Sequence, residues 1–570
     1  MKFKDLAAYL SRLEKTSSRN EMTLILSELF TKTPSEEIDK TVYLLYGQLL
    51  PNYQGKVLNL AEKMMIRVIS QAFNVAVENV AFRFKQEGDL GNVAEKLCRR
   101  KDKGLSVTEV YDRLMEVANF GGTGSQEKKI AKMAELLSSL DGESCRFVAR
   151  IPVGRLRLGF SDMTILDALS VMLKGNKSGR VTLEAAFNVT ADIGYIARLA
   201  KERGIAGLEV IKPKPGIPIR PSLAERLPSA EKILEKVGKK VVVEPKYDGF
   251  RAQVHIYNKD RKKKIMIFSR NLENTTAMFP DLVEAAGKIE VEEAIFDGEA
   301  IGYDTKTGKF LPFQETVQRK RKYDISEIAS RLPLKLFLFD VLFLNGDSLL
   351  EIPFYERRKL LEGIKLGNGK IEITRQEITD SPDKIRDLIK TYLSEGLEGA
   401  LIKKIDAVYK AGARGFHWVK YKKTTEEGVA DTIDCLVMGV NRGKGKRAGF
   451  GVGAFLVGVA EGEKFVSVSK IGTGLSDEQW RELNERTERL KVGKPPAEYQ
   501  VDKNLIPDVW IKPSLVVEIL ADEITKSPVH SAGLALRFPR LIRFRDEKGP
   551  KEVTSLEELK QLFEMQKILR

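Results

Sequence analysis

The stretch VVVEPKYDGFR, residues 241–251, begins with three valines, a run typical of a buried β-strand. Side chains alternate between the two faces of an extended chain, so Glu244, Lys246 and Asp248 should share one face. Gly249 allows a sharp turn or a close approach of the backbone to a ligand. The stretch therefore predicts a strand that presents one lysine between two carboxylates.

Two interpretations of Lys246 follow from its neighbours. One is an ordinary surface ion pair, the commoner role of an isolated lysine between acids. The other is a nucleophile, which attacks only when neutral and so needs a pKa lowered by burial or by a nearby cation such as Arg251. Pro245 adds that the strand is an edge or is kinked, because proline cannot donate a ladder hydrogen bond.

The composition is that of a large, basic, globular protein. The chain has 570 residues, of which 42% are hydrophobic, a formal net charge of +15 and a pI of about 9.3. This length predicts about three or four domains. The basic excess favours a polyanionic partner, most commonly nucleic acid, and a heat-adapted surface rich in lysine and glutamate is the alternative.

Cysteine and histidine usage excludes several classes of protein. The three cysteines, Cys98, Cys145 and Cys435, have no C-x-x-C spacing, and the three histidines lie far apart in the sequence. Neither a zinc finger nor a disulfide framework can be built from them. The sequence shows no signal peptide and no membrane-spanning apolar run, so we expect an intracellular, cytoplasmic protein.

The pattern of predicted secondary structure changes at a proline-rich segment, residues 212–221, which we interpret as a linker. Helical spacing dominates before it, and strands alternate with helices after it.

Asp297 and Glu299 should share a strand face, and paired carboxylates suit a hard divalent cation. The motifs that follow the linker and Lys246 are SRN (269–271), DGE (297–299), LFLFDVL (336–342), EGALIK (398–403), ARG (413–415), WVKYK (418–422) and RFPR (537–540).

Together with KYDGFR, these motifs resemble those of the covalent nucleotidyltransferases, and the whole chain looks most like the archaeal and eukaryotic replicative type of ATP-dependent DNA ligase. The resemblance implies a multidomain α+β protein. Ala400 and Leu401 stand where relatives often have other apolar residues, a difference that has little effect on the resemblance. The implied domains are a helical DNA-binding domain over 1–215, a mixed α/β adenylation (nucleotidyltransferase) domain over 216–425 and a C-terminal β-barrel OB-fold over 426–570.

The resemblance also implies roles for individual residues. Lys246 is the expected nucleophile for the α-phosphate of ATP, and Mg²⁺ is expected at Glu299 and Glu398. Asp248 is assigned either to the ribose or to the metal. The implied nucleotide-binding residues are Glu244, Arg251, Arg270, Glu299, Phe339, Lys403, Arg414, Lys420, Lys422 and Arg537, with Lys512 as a second candidate beside Arg537 for orienting pyrophosphate.

Several of these residues have a structural interpretation that stays open. Arg270 could close a turn, and Asp297 with Gly298 could form an ordinary turn. Phe339 could pack in a core instead of stacking on adenine. Lys420 and Lys422 could line an exposed basic strand edge.

Three segments are candidates for contact with a DNA backbone. The glycine-rich loop 120–125 lacks the Gly-Lys-Ser/Thr of a Walker A motif, yet its N–H groups could hold a phosphate; a plain helix start capped by Ser125 is the alternative. Arg155 and Arg157 are candidate phosphate contacts, with buried ion pairs as the alternative. The basic, glycine-rich hairpin 441–449 could follow a DNA strand.

The resemblance implies an enzyme that seals nicks in duplex DNA, in replication, repair and recombination, through a lysyl-AMP and an adenylated 5′-phosphate. The C-terminal domain should swing about a hinge near residues 423–431. An RNA ligase or capping-type nucleotidyltransferase is the nearer alternative, and a non-catalytic DNA-binding scaffold the farther one. We expect a monomer on nicked double-stranded DNA, and the sequence leaves a sliding-clamp partner open.

Overall fold

Contacts between residues divide the chain into two units. Unit 1 comprises Met1–Asn74 and Leu97–Glu427, and unit 2 comprises Val75–Lys96 and Gly428–Arg570, so unit 2 is built from two separate segments. The expected domain boundaries near residues 215 and 425 stay predictions. The computed structural model describes residues 1–154, 156, 158–320, 324–367, 369–422, 432–443 and 445–568.

The residues before 215 are mostly helical, as predicted. Apolar side chains recur at helical spacing along the first helix, which buries Phe3, Leu6, Leu10 and Leu13. The helices are α1 Phe3–Glu14, α2 Arg19–Lys32, α3 Ile38–Leu45, α4 Glu62–Phe73, α5 Val77–Glu87, α6 Leu90–Leu97, α7 Val107–Asn119, α8 Ser125–Leu137, α9 Gly142–Arg150, α10 Asp162–Lys174, α11 Arg180–Thr190, α12 Ile193–Arg203 and α13 Ala206–Glu209.

Two helix boundaries differ from the sequence-based expectation. Helical spacing of apolar residues over 37–50 predicts a longer helix than α3, which ends at Leu45. Gly47 follows with a φ of 67°, a left-handed conformation that ends helices and that glycine adopts without steric cost. Helix α8 begins at Ser125 itself, with Gly124 in the capping position and no side-chain cap. The proposed serine cap at this helix start is therefore wrong.

Residues 223–422 form two sheets flanked by helices. Sheet I has the strand order β1-β11-β10-β2-β9, and sheet II has the order β4-β3-β5-β6-β7 with β8 beside β6. The strands are β1 Leu223–Arg226, β2 Val241–Lys246, β3 Phe250–Lys259, β4 Lys262–Ser269, β5 Ala294–Gly302, β6 Leu334–Leu344, β7 Asp347–Ser348, β8 Ile371–Ile373, β9 Glu377–Thr379, β10 Gly399–Lys404 and β11 Arg414–Lys422. The helices are α14 Ala230–Val237, α15 Pro280–Gly287, α16 Phe313–Thr316, α17 Ile325–Arg331, α18 Phe354–Glu362 and α19 Pro382–Ser394.

Strand β2 is an interior strand of sheet I, so it is not an edge strand over its whole length, although at Pro245 it is paired on one side only. Strand β9 pairs with β2 only from Val241 to Val243, and Pro245 pairs solely with Ala400 of β10. The missing N–H of Pro245 therefore breaks no ladder hydrogen bond on the β9 side, because β9 has already ended.

Sheets I and II contribute side chains to common apolar clusters. Val243 and Ile402 of sheet I pack in one cluster with Ile301 and Phe337 of sheet II, and the ring of Tyr247 stacks on Phe337 at 4.2 Å. Burial of these apolar side chains is the main stabilising contribution to such a core. The packing fixes the end of β2, where Lys246 lies, against sheet II.

Unit 2 contains the small β domain that the sequence predicts, although its described strands do not close into a barrel. Their order is β15-β17-β12-β13-β14-β16, β18 joins β12 to β21, and β19 pairs separately with β20. The two end strands of the sheet are only two residues long and do not pair with each other. The elements are β12 Ile433–Arg442, β13 Val452–Glu461, β14 Lys464–Ile471, β15 Lys491–Val492, β16 Tyr499–Gln500, β17 Val509–Ile511, β18 Val516–Leu520, β19 Glu523–Lys526, β20 Leu534–Arg537, β21 Arg540–Phe544, α20 Asp477–Glu488 and α21 Leu556–Ile568.

The C-terminal helix α21 begins with a capping box, which the spacing of Ser555 and Glu558 in the sequence predicts. The Glu558 N–H donates to Ser555 Oγ at 3.1 Å, and the Ser555 N–H donates to the Glu558 carboxylate at 2.7 Å. Over the part of the chain that the structure describes, none of the helices has the length and apolar character needed to cross a membrane.

Candidate active site

Lys246 lies in a cross-strand row at one end of sheet I. In the strand register, Lys246 of β2 faces Gly399 of β10, which in turn faces Lys422 of β11. Both lysine ammonium groups form ion pairs with the Glu398 carboxylate. The Glu398 N–H also donates to the Lys246 carbonyl at 2.9 Å, so backbone and side chain hold Glu398 beside Lys246.

The next row on the same face joins Glu244, Leu401 and Lys420, two residues along each strand. The predicted alternation of Glu244 and Lys246 onto one face is therefore confirmed. Leu401 and Gly399 of β10 have no polar side chain, so the charged residues of these rows come from β2 and β11. The rows together present basic groups beside the candidate nucleophile.

Glu244 and Lys403 form a buried ion pair at 2.8 Å, with the two side chains 1% and 0% exposed. The Lys403 ammonium also donates to the Phe339 carbonyl at 3.0 Å and lies 4.9 Å from the centre of the Phe339 ring and 4.8 Å from that of Trp418. Both residues were predicted to bind nucleotide. In the structure they are paired with each other, and a carboxylate oxygen of Glu244 has no hydrogen-bond partner.

Sheet II supplies a second buried charge pair. Arg251 of β3 binds both oxygens of Asp297 on β5, and its Nη1 donates to the Ser222 carbonyl at 2.8 Å. Tyr409 Oη donates to Asp297 at 2.7 Å and accepts the Ser222 N–H at 3.0 Å. This network fixes Arg251, which faces Glu299 in the strand register.

Burial shifts the ionisation of the two central groups in opposite directions. It lowers the pKa of Lys246; the Glu299 and Asp248 carboxylates oppose this shift, and the Arg270 charge adds to it. Burial raises the pKa of Glu299 to about 7, against the opposing charges of Lys246 and Arg251. A lowered lysine pKa makes the neutral, nucleophilic amine more accessible near neutral pH.

Three of the predicted basic residues, Arg270, Arg414 and Lys420, lie close enough to one another and to Lys246 to interact electrostatically. Burial lowers the pKa of Lys420, and the positive charges of Arg414, Lys246 and Arg270 lower it further, because like charges disfavour one another. Arg270 and Arg414 are exposed. A cluster of this composition is suited to a polyphosphate, whose charge would relieve the repulsion.

Phe339 packs in a core cluster of the two sheets. It is 8% exposed, and its ring meets Trp418 edge-on at 5.8 Å between centroids. The Arg251 guanidinium lies 5.4 Å from the same ring. The packing role is therefore present in the structure, and adenine stacking stays a prediction.

The contacts of three carboxylates show which of them could bind Mg²⁺: Glu299, Glu398 and Asp248. Among the described residues, no side chain hydrogen-bonds to the Glu299 carboxylate, whereas Glu398 contacts two ammonium groups and Asp248 accepts the Phe313 N–H at 3.0 Å. The described chain holds no cluster of three metal-ligating side chains. A pair of carboxylates nevertheless fits Mg²⁺, which keeps several waters and takes further ligands from phosphate.

The remaining predicted residues lie elsewhere or outside the described chain. Arg537 and Lys512 belong to unit 2, where Arg537 pairs with Glu523 at 3.1 Å. Arg155, Arg157 and the hinge residues 423–431 lie outside the described residues.

Two of the candidate DNA-binding loops are described at least in part. Gly122 and Gly124 of the loop 120–125 have positive φ and an exposed setting. In the hairpin 441–449, Arg447 donates to the Gly453 carbonyl at 3.0 Å, and its guanidinium lies 4.9 Å from the Trp480 ring. These contacts commit Arg447 to unit 2 itself.

Sequence reasoning missed Tyr409 and Ser222, which hold Arg251 and Asp297 in place. Tyr409 lies between two recognised motifs without belonging to either, and Ser222 acts partly through its backbone. Neither role has a short sequence signature.

Relative to the wild type, Glu299→Gln should raise the free energy of unfolding more at pH 8 than at pH 4. The folded pKa of about 7 exceeds the ordinary 4.5, so the stability contributed by the neutral carboxyl is complete below pH 4.5 and is lost as the pH rises through 7. Glutamine stays neutral, which should add roughly 3 kcal/mol at pH 8. Urea unfolding of both proteins at each pH measures this, and an equal stability difference at pH 4 and pH 8 would contradict it.

Comparison with known proteins covers nearly the whole chain. Residues 2–170 match the family described as DNA ligase N terminus, residues 221–422 the ATP dependent DNA ligase domain, and residues 448–548 the ATP dependent DNA ligase C terminal region. These matches follow the order of the helical region, the two sheets and the β domain.

Similar full-length proteins carry the same description. A probable DNA ligase of Dictyoglomus thermophilum is 43% identical over 100% of this chain and 98% of its own length, and a DNA ligase of Saccharolobus solfataricus is 39% identical over 99% and 98%. A solved structure titled Pmar-Lig_PreS3 covers 95% of this chain and 99% of its own at 19% identity, with a TM-score of 0.56, which supports the fold. The chain therefore belongs to the ATP-dependent DNA ligase family.

Proposed function

We propose that this ligase seals nicks in duplex DNA by first forming a covalent adenylate on Lys246. The observation that carries the proposal is the setting of Lys246. It is a partly buried lysine with a lowered pKa, paired with Glu398 and near Glu299 and near cations suited to phosphate. The family uses ATP as the AMP donor, and the setting of Lys246 supports this lysine as the acceptor.

In the first step the neutral Lys246 Nζ attacks the α-phosphorus of ATP, the bond to the bridging oxygen breaks, and pyrophosphate leaves. Lys420 and Lys422 lie in the rows beside Lys246 and offset the charge on the α-phosphate. AMP then passes to the 5′-phosphate at the nick, and the 3′-hydroxyl displaces it. Arg270 and Arg414, both exposed beside Lys420, are positioned for the phosphates.

Glu299 and Glu398 would hold Mg²⁺, which when bound neutralises phosphate charge. Glu299 suits this role because its carboxylate has no hydrogen-bonding partner among the described side chains. The cation would also favour the ionised form of Glu299 over the neutral form that burial favours.

The proposed partner is nicked double-stranded DNA, consistent with the net charge of +15. The proposal includes a monomer in the cytoplasm, associated with the nucleoid, and a rearrangement of the C-terminal domain between adenylation and sealing. A sliding-clamp partner stays open. The alternative of an RNA ligase or capping-type enzyme is not favoured by the family, and a nick in RNA provides the direct comparison.

Incubation with ATP labelled at the α-phosphate and Mg²⁺ should label the 64.0 kDa band on a denaturing gel. Nicked duplex DNA should then remove the label as the strand is sealed, whereas the equivalent nicked RNA and labelled GTP should be poor substrates. Label that nicked DNA cannot remove, or preferential sealing of RNA, would contradict the proposal. Protein shown beforehand to be free of bound AMP is required, since pre-adenylated protein cannot take up label.

A further inference from the structure

Arg220 joins helices α10 and α11 to the start of strand β1. Its guanidinium pairs with Asp162, in the first turn of α10, at 2.7 Å and lies 4.4 Å from the ring of Phe187 on α11. Its backbone N–H donates to the Asn188 carbonyl of α11 at 2.8 Å. Tyr46 Oη donates to the second Asp162 oxygen at 2.9 Å, which fixes the acid that Arg220 binds.

The same short segment is bonded directly to the active-site network. Ser222, two residues after Arg220, accepts Arg251 Nη1 on its carbonyl and donates its N–H to Tyr409 Oη. Arg251 and Tyr409 both bind Asp297. A displacement of Arg220 would therefore reach Arg251 through two peptide units and one hydrogen bond.

Arg220 also contacts the loop that leads to Arg414. Its carbonyl accepts the Gly412 N–H at 3.0 Å, and Leu223 pairs with Arg414 in the parallel register of β1 and β11. Gly412 is packed so closely on helix α11 that an added Cβ would lie 2.3 Å from the Asn188 side chain. The loop before Arg414 is thus set by helix α11 as well as by sheet I.

We propose that Arg220, held by Asp162, is a positioning residue that aligns Arg251 and Arg414 with the bound nucleotide. This alignment depends on where helices α10 and α11 lie. The proposal rests on the proposed function, since its effect is read in the adenylation of Lys246. It makes nucleotide use depend on the helical region even before DNA is present.

The pair is poorly suited to a role in stability alone. Its side chains are 22% and 35% exposed, beside a cavity of about 400 Å³ that also borders Arg270, so water screens the charges. An ion pair in such a setting contributes little to the free energy of unfolding. Small displacements of groups that orient a substrate, by contrast, change reaction rates strongly.

Asp162→Asn, Arg220→Gln and the double variant test the proposal through the ATP dependence of Lys246 labelling without DNA. Each single variant should raise KM for ATP about tenfold while the final label per folded protein stays that of the wild type. The double variant should be no worse than the singles, because both remove one contact. Arg67→Ala, which breaks the exposed pair with Glu127 in the same unit, is the matched control and should leave KM unchanged.

A KM within about twofold of the wild type in both single variants would overturn the proposal, as would additive effects in the double variant. A loss of label at unchanged KM would indicate fewer folded molecules and would also overturn it. Absence of labelling in the wild type would instead refute the proposed function, so the two failures are distinguishable.

Discussion

Lys246→Ala should abolish the labelled protein adenylate and lower nick sealing with ATP by about ten-thousandfold or more, the scale of loss when a covalent nucleophile is removed. Alanine has no amine to attack the α-phosphorus, so no phosphoramidate can form at residue 246. A time course of label uptake and of sealing, each against the wild type at equal folded concentration, measures the loss.

A nick that already carries AMP on its 5′-phosphate provides the decisive control. Sealing of that substrate needs no adenylate on Lys246, so Lys246→Ala should retain much more of this activity than of sealing with ATP. Lys404→Ala changes an exposed lysine of β10 and should label normally. Normal label uptake by Lys246→Ala would place the nucleophile elsewhere.

Lys403→Met should lower the free energy of unfolding by about 3–5 kcal/mol, because it leaves Glu244 buried without its partner. The remaining cation near Glu244 is Arg358, at 3.8 Å, too far for a hydrogen bond. Methionine roughly keeps the length of the lysine side chain, so a cavity contributes little to the loss. Urea unfolding at pH 7 followed by circular dichroism measures it.

The double variant Glu244→Gln with Lys403→Met separates the unpaired charge from lost packing. Glutamine carries no charge, so the double variant should recover much of the stability that the single variant loses. Lys404→Met, which alters an exposed side chain on the next position of β10, should change stability little. A double variant as unstable as Lys403→Met would show that packing around the Phe339 and Trp418 rings, not the buried carboxylate, determines the loss of stability.

The sequence predicted the parts of the site that depend on local periodicity. Alternation along an extended chain placed Glu244 and Lys246 on one face, as the strand register confirms. The identity of these residues followed from the resemblance of their motifs. Local rules sufficed because each inference concerned neighbours on a single strand.

What escaped prediction depends on pairing between distant segments. That Lys403 is committed to Glu244 follows from β10 lying between β2 and β11, and no spacing in the sequence specifies that order. The interior position of β2, which Pro245 argues against, likewise depends on this strand order. Tyr409 and Ser222 matter through one hydroxyl and one peptide unit, which many sequences could provide.

The divided unit 2 has a consequence for the growing chain. Its first segment, Val75–Lys96, is synthesised several hundred residues before Gly428–Arg570, which completes the unit. At 5–20 residues per second, helix α5 waits on the order of tens of seconds for the rest of its unit. Helix α5 fully buries only Val80 and leaves Phe82 exposed, whereas helix α6 of the same segment buries Leu90, Val93 and Ala94 in the folded chain. A ribosome-bound fragment ending before Gly428 would thus hold both sheets of unit 1 together with helices α5 and α6, whose own unit is still incomplete.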